Sequence, residues 1–198
     1  KARIHTGQAI GLLAGAIVPG EGNTGIKLIA AKDDIDLQAQ SDEMKFLAKK
    51  DVKLVSATQY IDFAAENQLE YIIIDEGWSG KESLMEDISP EINLEELVAY
   101  GNQKGIGIIL WASYNSIVKN PEKAMSHYAR MGFKGFKIDF INRDDQQAVK
   151  FCERMAKIAA ENHLLIDFHG VYKPAGIQRT YPNVLNFEGV AGLEQLKW

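Results

Sequence analysis

The sequence predicts an α/β fold of the (β/α)8, TIM-barrel type, present in part. Three observations carry this. Short apolar runs alternate with helical patterns at least four times, at intervals typical of β/α units. Several of those runs end on an acid or an aromatic residue, among them Ile74-Asp75, Ile138-Asp139 and Phe187-Glu188. No glycine-rich dinucleotide fingerprint follows any run, which argues against a doubly wound nucleotide-binding sheet. Strands buried on both faces read as continuous apolar runs, so an acid at their end needs a reason. In β/α barrels the carboxyl ends of the strands form the active face.

The central run is Phe133-Lys134-Gly135-Phe136-Lys137-Ile138-Asp139. Asp144 and Asp145 begin the helix that follows, so Asp139 is not needed as a cap and is read as functional. Going along the chain, residues 1–50 are the least informative. Ile26 to Ala31 reads as a strand, and Ser41 to Lys50 as a helix capped by Ser41. Tyr60 to Asn67 is helical and leads into the strand Tyr71 to Ile74. Asn93 caps a helix running to Gln103, with Gly105 past its end. Ile106 to Leu110 is the next strand, finishing at Trp111. Pro121 opens a third helix, closed by Gly132. Asp144 to Asn162 is the longest helix, with Val149, Cys152, Met155, Ala156 and Ala159 on one stripe. Leu164 to Phe168 and Val184 to Phe187 complete five well-marked strands from residue 51 onward. Eight strands usually take about 250 residues, so 198 residues suggest a partial barrel over 51–198.

Composition narrows the partners. The net charge of −5 and a pI near 5.4 give no basic surface for nucleic acid or an anionic membrane. No apolar run reaches transmembrane length. Ala9 to Val18 only faintly resembles the apolar centre of a signal peptide. Cys152, the single cysteine, sits on the apolar stripe and reads as a small buried hydrophobe.

Carboxylates with aromatics, few histidines and no nucleophile elbow point to sugar chemistry. Glycoside hydrolysis needs two carboxyl groups flanking one bond. Asp139 is one candidate. Asp75, Trp78, Trp111, Lys137, His169 and Tyr172 are candidates for substrate binding, the aromatics by stacking on pyranose faces and His169 by bonding a hydroxyl. Tyr181 could stack in the same way. Glu188 and Glu194 could offer oxygens to a hard ion such as calcium. No Cys/His spacing suggests zinc, and His163, between helix and strand, reads as structural.

From Tyr60 to Trp198 the chain resembles glycoside hydrolase family 97. The resemblance is carried by Tyr60-Ile61-Asp62-Phe63-Ala64-Ala65-Glu66-Asn67, Ile74-Asp75-Glu76-Gly77-Trp78, Lys134 to Phe140, Arg143 to Gln146, Asp167 to Pro174, Gln178 to Val184 and Glu188 to Glu194. It implies a calcium-assisted α-glycosidase. On the retaining, α-galactosidase-type branch Asp139 is the nucleophile, Glu194 the acid/base and Glu188 a calcium ligand. The inverting, α-glucosidase branch would place a glutamate where this chain has Phe168-His169-Gly170, so retention and galactosides are favoured. The resemblance also implies a glycoside or oligosaccharide substrate and a periplasmic or extracellular location, with the remaining barrel segments and flanking domains supplied by the rest of a full-length protein. A non-catalytic sugar-binding barrel fragment is the alternative, and an α-glucosidase of the same family a further one.

Overall fold

The computed structural model describes residues 12–13, 26–29, 57–80, 82–90 and 92–192. The helix expected over Ser41 to Lys50 lies outside them, as do Glu194 and all but two residues of the apolar stretch at Ala9 to Val18.

Seven strands form one sheet in chain order: β1 (Leu12–Leu13), β2 (Ile26–Ile29), β3 (Tyr71–Ile74), β4 (Gly107–Ser113), β5 (Gly135–Asp139), β6 (Leu165–Phe168) and β7 (Val184–Phe187). β3 to β7 run parallel, whereas β1 and β2 join antiparallel. Helices α1 (Ala57–Glu66), α2 (Leu94–Lys104), α4 (Pro121–Met131) and α5 (Gln146–Glu161) precede or connect the parallel strands, and α3 (Tyr114–Ile117) is a single turn after β4. Among the described residues β7 pairs with β6 alone. The structure thus shows the parallel α/β part of the expected fold, while closure into a barrel is not shown.

The helix ends follow from local chemistry. The Asn93 side chain accepts the Glu96 N–H, at 3.1 Å, and Asp145 accepts that of Ala148, at 3.0 Å, each satisfying an N–H that the helix leaves without a partner. Gly105 and Gly132 end α2 and α4 with φ of 76° and 106°.

Strand periodicity then divides the sheet into two different faces. Ile72, Ile74, Ile108, Leu110, Ala112, Phe136, Ile138, Ile166 and Phe168 are buried in the main core with the helices' apolar sides. The cross-strand partners Trp111, Lys137 and Asp167 share the opposite face. That face is apolar low down, where Ile73 and Ile109 pack with Tyr71, Leu165 and Leu185. It becomes charged toward the strand ends.

Gly135 is fixed by the spacing of β5 and β6. A Cβ there would stand 2.3 Å from the Leu165 carbonyl oxygen. Gly135→Ala is expected to lower stability by about 1–3 kcal/mol, the usual cost of overpacking a core. An unchanged urea midpoint would show that β5 and β6 are not held this closely.

Candidate active site at the strand ends

Asp139 is the last residue of β5, and donors from two directions converge on its carboxylate. Its Oδ1 accepts the N–H of Phe140 at 2.7 Å. Its Oδ2 accepts the indole N–H of Trp111 at 3.1 Å and lies 3.4 Å from the Lys137 ammonium. Lys137 is 2% exposed and closer still to Asp75, with Nζ at 3.0 Å from both carboxylate oxygens. One buried ammonium therefore bridges the ends of β3 and β5.

A second group of charges stands on β6 and β7. His169 Nε2 is 3.1 Å from Asp167 Oδ2, and its Nδ1 is 3.1 Å from Glu188 Oε2. Glu188 Oε2 also accepts the N–H of Gly170, at 3.2 Å. Burial opposes charge on His169 most strongly. The hydrogen bonds to Asp167 and Glu188, with the charge of Asp167, together outweigh it and push the pKa up to about 9. Each ring nitrogen faces a carboxylate oxygen, so both donate and the ring carries a proton on each. The two groups meet at Asp139, whose carboxylate lies within 4.8 Å of a ligand atom of both His169 and Glu188.

The structure therefore brings together Asp75, Trp111, Lys137, Asp139, His169 and Glu188. One other expectation is corrected. Trp78 is fully buried, edge-on to Tyr128 at 5.3 Å in the helix-side core. Its indole N–H donates to the Trp111 carbonyl at 2.7 Å, so it ties two strand ends together in place of stacking on a sugar. The left-handed Gly77, with φ of 112°, precedes it, and strand alternation no longer sets its direction. Tyr172 is partly buried and packs on Phe187, with ring centroids 5.6 Å apart. Cys152 is buried as expected, and burial pushes its thiol up to about 12. Tyr181 is partly buried against the same core. His163, with φ of 55°, forms the turn between α5 and β6.

Asp167 was missed among the residues that surround the site. Asp167 is 1% exposed and sits mid-strand in an apolar run. Its separation of two from His169 was the available signal, because it puts both side chains on one face.

The fit to calcium can be tested on these groups. Asp139, His169 and Glu188 are the cluster of metal-ligand type found among the described residues. Calcium takes about six to eight oxygen ligands. This cluster offers two carboxylates and an imidazole, and both ring nitrogens of the imidazole face carboxylates. The described residues do not fit the ion by themselves. Glu188 supplies an oxygen donor of the right kind, already accepting two N–H groups.

The charge on His169 sets a pH dependence of stability. Its folded pKa is raised above the ordinary value, so the contribution is complete below about pH 6.5 and is lost as pH rises through about 9. The urea midpoint of the protein should fall between pH 6 and pH 9.5 by more than that of His169→Gln. Equal falls would show that His169 is not held as a cation.

Known proteins resemble this chain in sequence and in fold. A family model described as Glycoside hydrolase 97 matches residues 26–190, beginning within the segment for which the residues alone gave no resemblance. A retaining alpha-galactosidase of Bacteroides thetaiotaomicron is 53% identical over 140 residues, covering 70% of this chain and 21% of its own length. Of solved structures, a beta-arabinopyranosidase is 30% identical with a TM-score of 0.55, covering 64% of this chain and 21% of its own. A glycoside hydrolase family 97 enzyme from Pseudoalteromonas sp. strain K8 shares the fold at 22% identity and a TM-score of 0.64, covering 72% and 26% of the two chains. The chain thus spans about a fifth of the length of the curated relative. It belongs to glycoside hydrolase family 97.

Proposed function

We propose that this chain forms the nucleophile-bearing part of a retaining α-galactosidase, with Asp139 attacking the anomeric carbon. The observation that carries the reading is the setting of Asp139 at a strand end. Trp111, Lys137 and the Phe140 N–H fix the carboxylate from the protein side, which limits the orientations open to an attacking oxygen. A nucleophile held this way loses little freedom on reaching the transition state. The 53% identity to a protein named a retaining alpha-galactosidase supports the substrate class and the stereochemistry.

Attack forms a bond from a carboxylate oxygen to the anomeric carbon as the leaving oxygen departs with the bonding pair. A second carboxyl group protonates that oxygen, then removes a proton from the water that hydrolyses the ester. The family resemblance gives this part to Glu194, outside the described residues. A retaining pair stands roughly 5–5.5 Å apart, against roughly 6.5–9.5 Å for an inverting one. Lys137 and Asp75, bonded to each other, are a donor and an acceptor for the sugar hydroxyls, and His169 holds Glu188 beside them.

A second reading concerns the sugar. The beta-arabinopyranosidase at 30% identity acts on a ring that, in the L series, shares the configuration of an α-D-galactoside but lacks the exocyclic hydroxymethyl group. Paired aryl α-galactoside and β-arabinopyranoside substrates therefore decide between them, and an aryl α-glucoside tests the inverting branch. A non-catalytic sugar-binding role predicts no turnover of any of the three.

Asp139→Gly should reduce turnover by at least 1,000-fold, the scale of losing an essential nucleophile. Added azide should then restore the release of an activated aryl leaving group and give the β-galactosyl azide, since azide enters from the vacated side. Undiminished turnover in this variant would remove Asp139 from the mechanism.

A further inference from the structure

Trp78 is fully buried, so it touches no substrate, yet its indole N–H stands where the end of β4 depends on it. Backbone groups along a strand turn alternately to its two neighbours. Ile108 turns to β5, its carbonyl accepting the Lys134 N–H at 2.8 Å. Gly107 turns to β3, its N–H donating to the Glu70 carbonyl at 2.9 Å. Trp111, four residues beyond Gly107, therefore points its carbonyl to the side of β3. That strand pairs with β4 only as far as Ile74, opposite Leu110. The next N–H in line to face β4 is that of Glu76, and it donates instead to Asp75 Oδ1, at 3.0 Å. The indole N–H of Trp78 takes the vacant place and reaches the Trp111 carbonyl at 2.7 Å. A side chain thus continues the ladder that the backbone has left.

The consequence lies on the other face of the sheet. Trp111 is 1% exposed, and its own indole N–H donates to Asp139 Oδ2 at 3.1 Å. Only two side-chain torsions separate that donor from the backbone that Trp78 holds. Without the Trp78 N–H, the Trp111 carbonyl is a buried acceptor left unpaired, which is costly. A shift of the strand end that finds it another donor also moves the group that orients Asp139. Misplacement of a reacting group by about 1 Å can cost about 100-fold in rate.

We propose that Trp78 is a positioning residue for Asp139, acting through Trp111 and in contact with neither the carboxylate nor the sugar. This rests on the reading of Asp139 as the attacking group. Trp78 also fills space, edge-on to Tyr128, so its N–H has to be separated from its bulk.

Two substitutions do so. Trp78→Phe keeps an aromatic ring and loses the N–H. Trp78→His loses the benzo ring, but its Nε2 superposes on the indole nitrogen and can donate from there. Single-turnover release of an activated aryl leaving group, with protein in excess, reads bond formation at Asp139. The half-saturating concentration reads binding, and the melting temperature reads packing. Trp78→Phe should slow release about tenfold or more with half-saturation nearly unchanged, the pattern of a group acting on the transition state alone. Trp78→His should stay closer to the wild-type rate even though it melts at a lower temperature. In a Trp111→Phe background, which lacks the donor to Asp139, Trp78→Phe should slow release no further. Unslowed release in Trp78→Phe, a histidine variant slower than the phenylalanine one, or equal slowing in both backgrounds would overturn the positioning role alone. If only one variant folds, its rate decides: a slowed Trp78→Phe or a near-wild-type Trp78→His supports the role, and the opposite result removes it. If the wild-type protein cleaves none of the aryl α-galactoside, β-arabinopyranoside and α-glucoside, the reading of Asp139 falls and the positioning role with it.

Discussion

A single buried ammonium holds the proposed active site together. Taking a carboxylate out of water costs several kcal/mol, and two carboxylates close together repel in addition. Asp75 and Asp139 both stand at strand ends with little exposure, 11% and 14% of their side-chain surfaces. Lys137 offsets that cost by reaching both from β5, two residues before Asp139. His169 does the same for Asp167 and Glu188 on the neighbouring strands. Such arrangements rarely maximise stability, since a well-packed apolar set of the same volume often does better. Here the charges fix the orientation of a carboxylate, and that serves chemistry.

The geometry that permits this is the division of the sheet by strand parity. One face presents isoleucine, leucine and phenylalanine to the helices and supplies most of the apolar burial. The other begins apolar at Ile73 and Ile109 and ends charged at Asp139 and His169. Parallel strands in register put Trp111, Lys137 and Asp167 side by side, so one row of three residues forms the layer beneath the site. Trp78 joins the two faces. From the helix-side core its N–H fixes the Trp111 carbonyl, while Trp111 turns its own N–H to Asp139.

Much of this was legible in the sequence, for physical reasons that differ from place to place. The helices announced themselves through local devices, such as the Asn93 cap, Pro121 and the terminal Gly105 and Gly132, which act without tertiary context. The strand ends were visible because an acid in a buried apolar run is costly. The partners of those acids were harder to read. The ion pair of Lys137 with Asp75 spans sixty-two residues, and nothing local encodes it. Asp167 escaped as a site residue because its run looks continuously apolar around it. Trp78 was misread because it lies in a turn past a strand end, where alternation no longer governs side chains. Calcium was expected through the resemblance alone, and Asp139, His169 and Glu188 by themselves do not make up the set of oxygen ligands it takes.

The central claim is that Asp139 is the carboxylate that bonds to the sugar. A fluorinated α-galactosyl fluoride that forms a slowly hydrolysed glycosyl ester, followed by intact-mass and peptide mass spectrometry, tests it most directly. The account predicts one added fluorogalactosyl group, carried by the peptide containing Asp139 and lost with time as the ester hydrolyses. A label on Glu188 or another carboxylate, or an enzyme that turns over α-galactosides while Asp139 stays unlabelled, would contradict it.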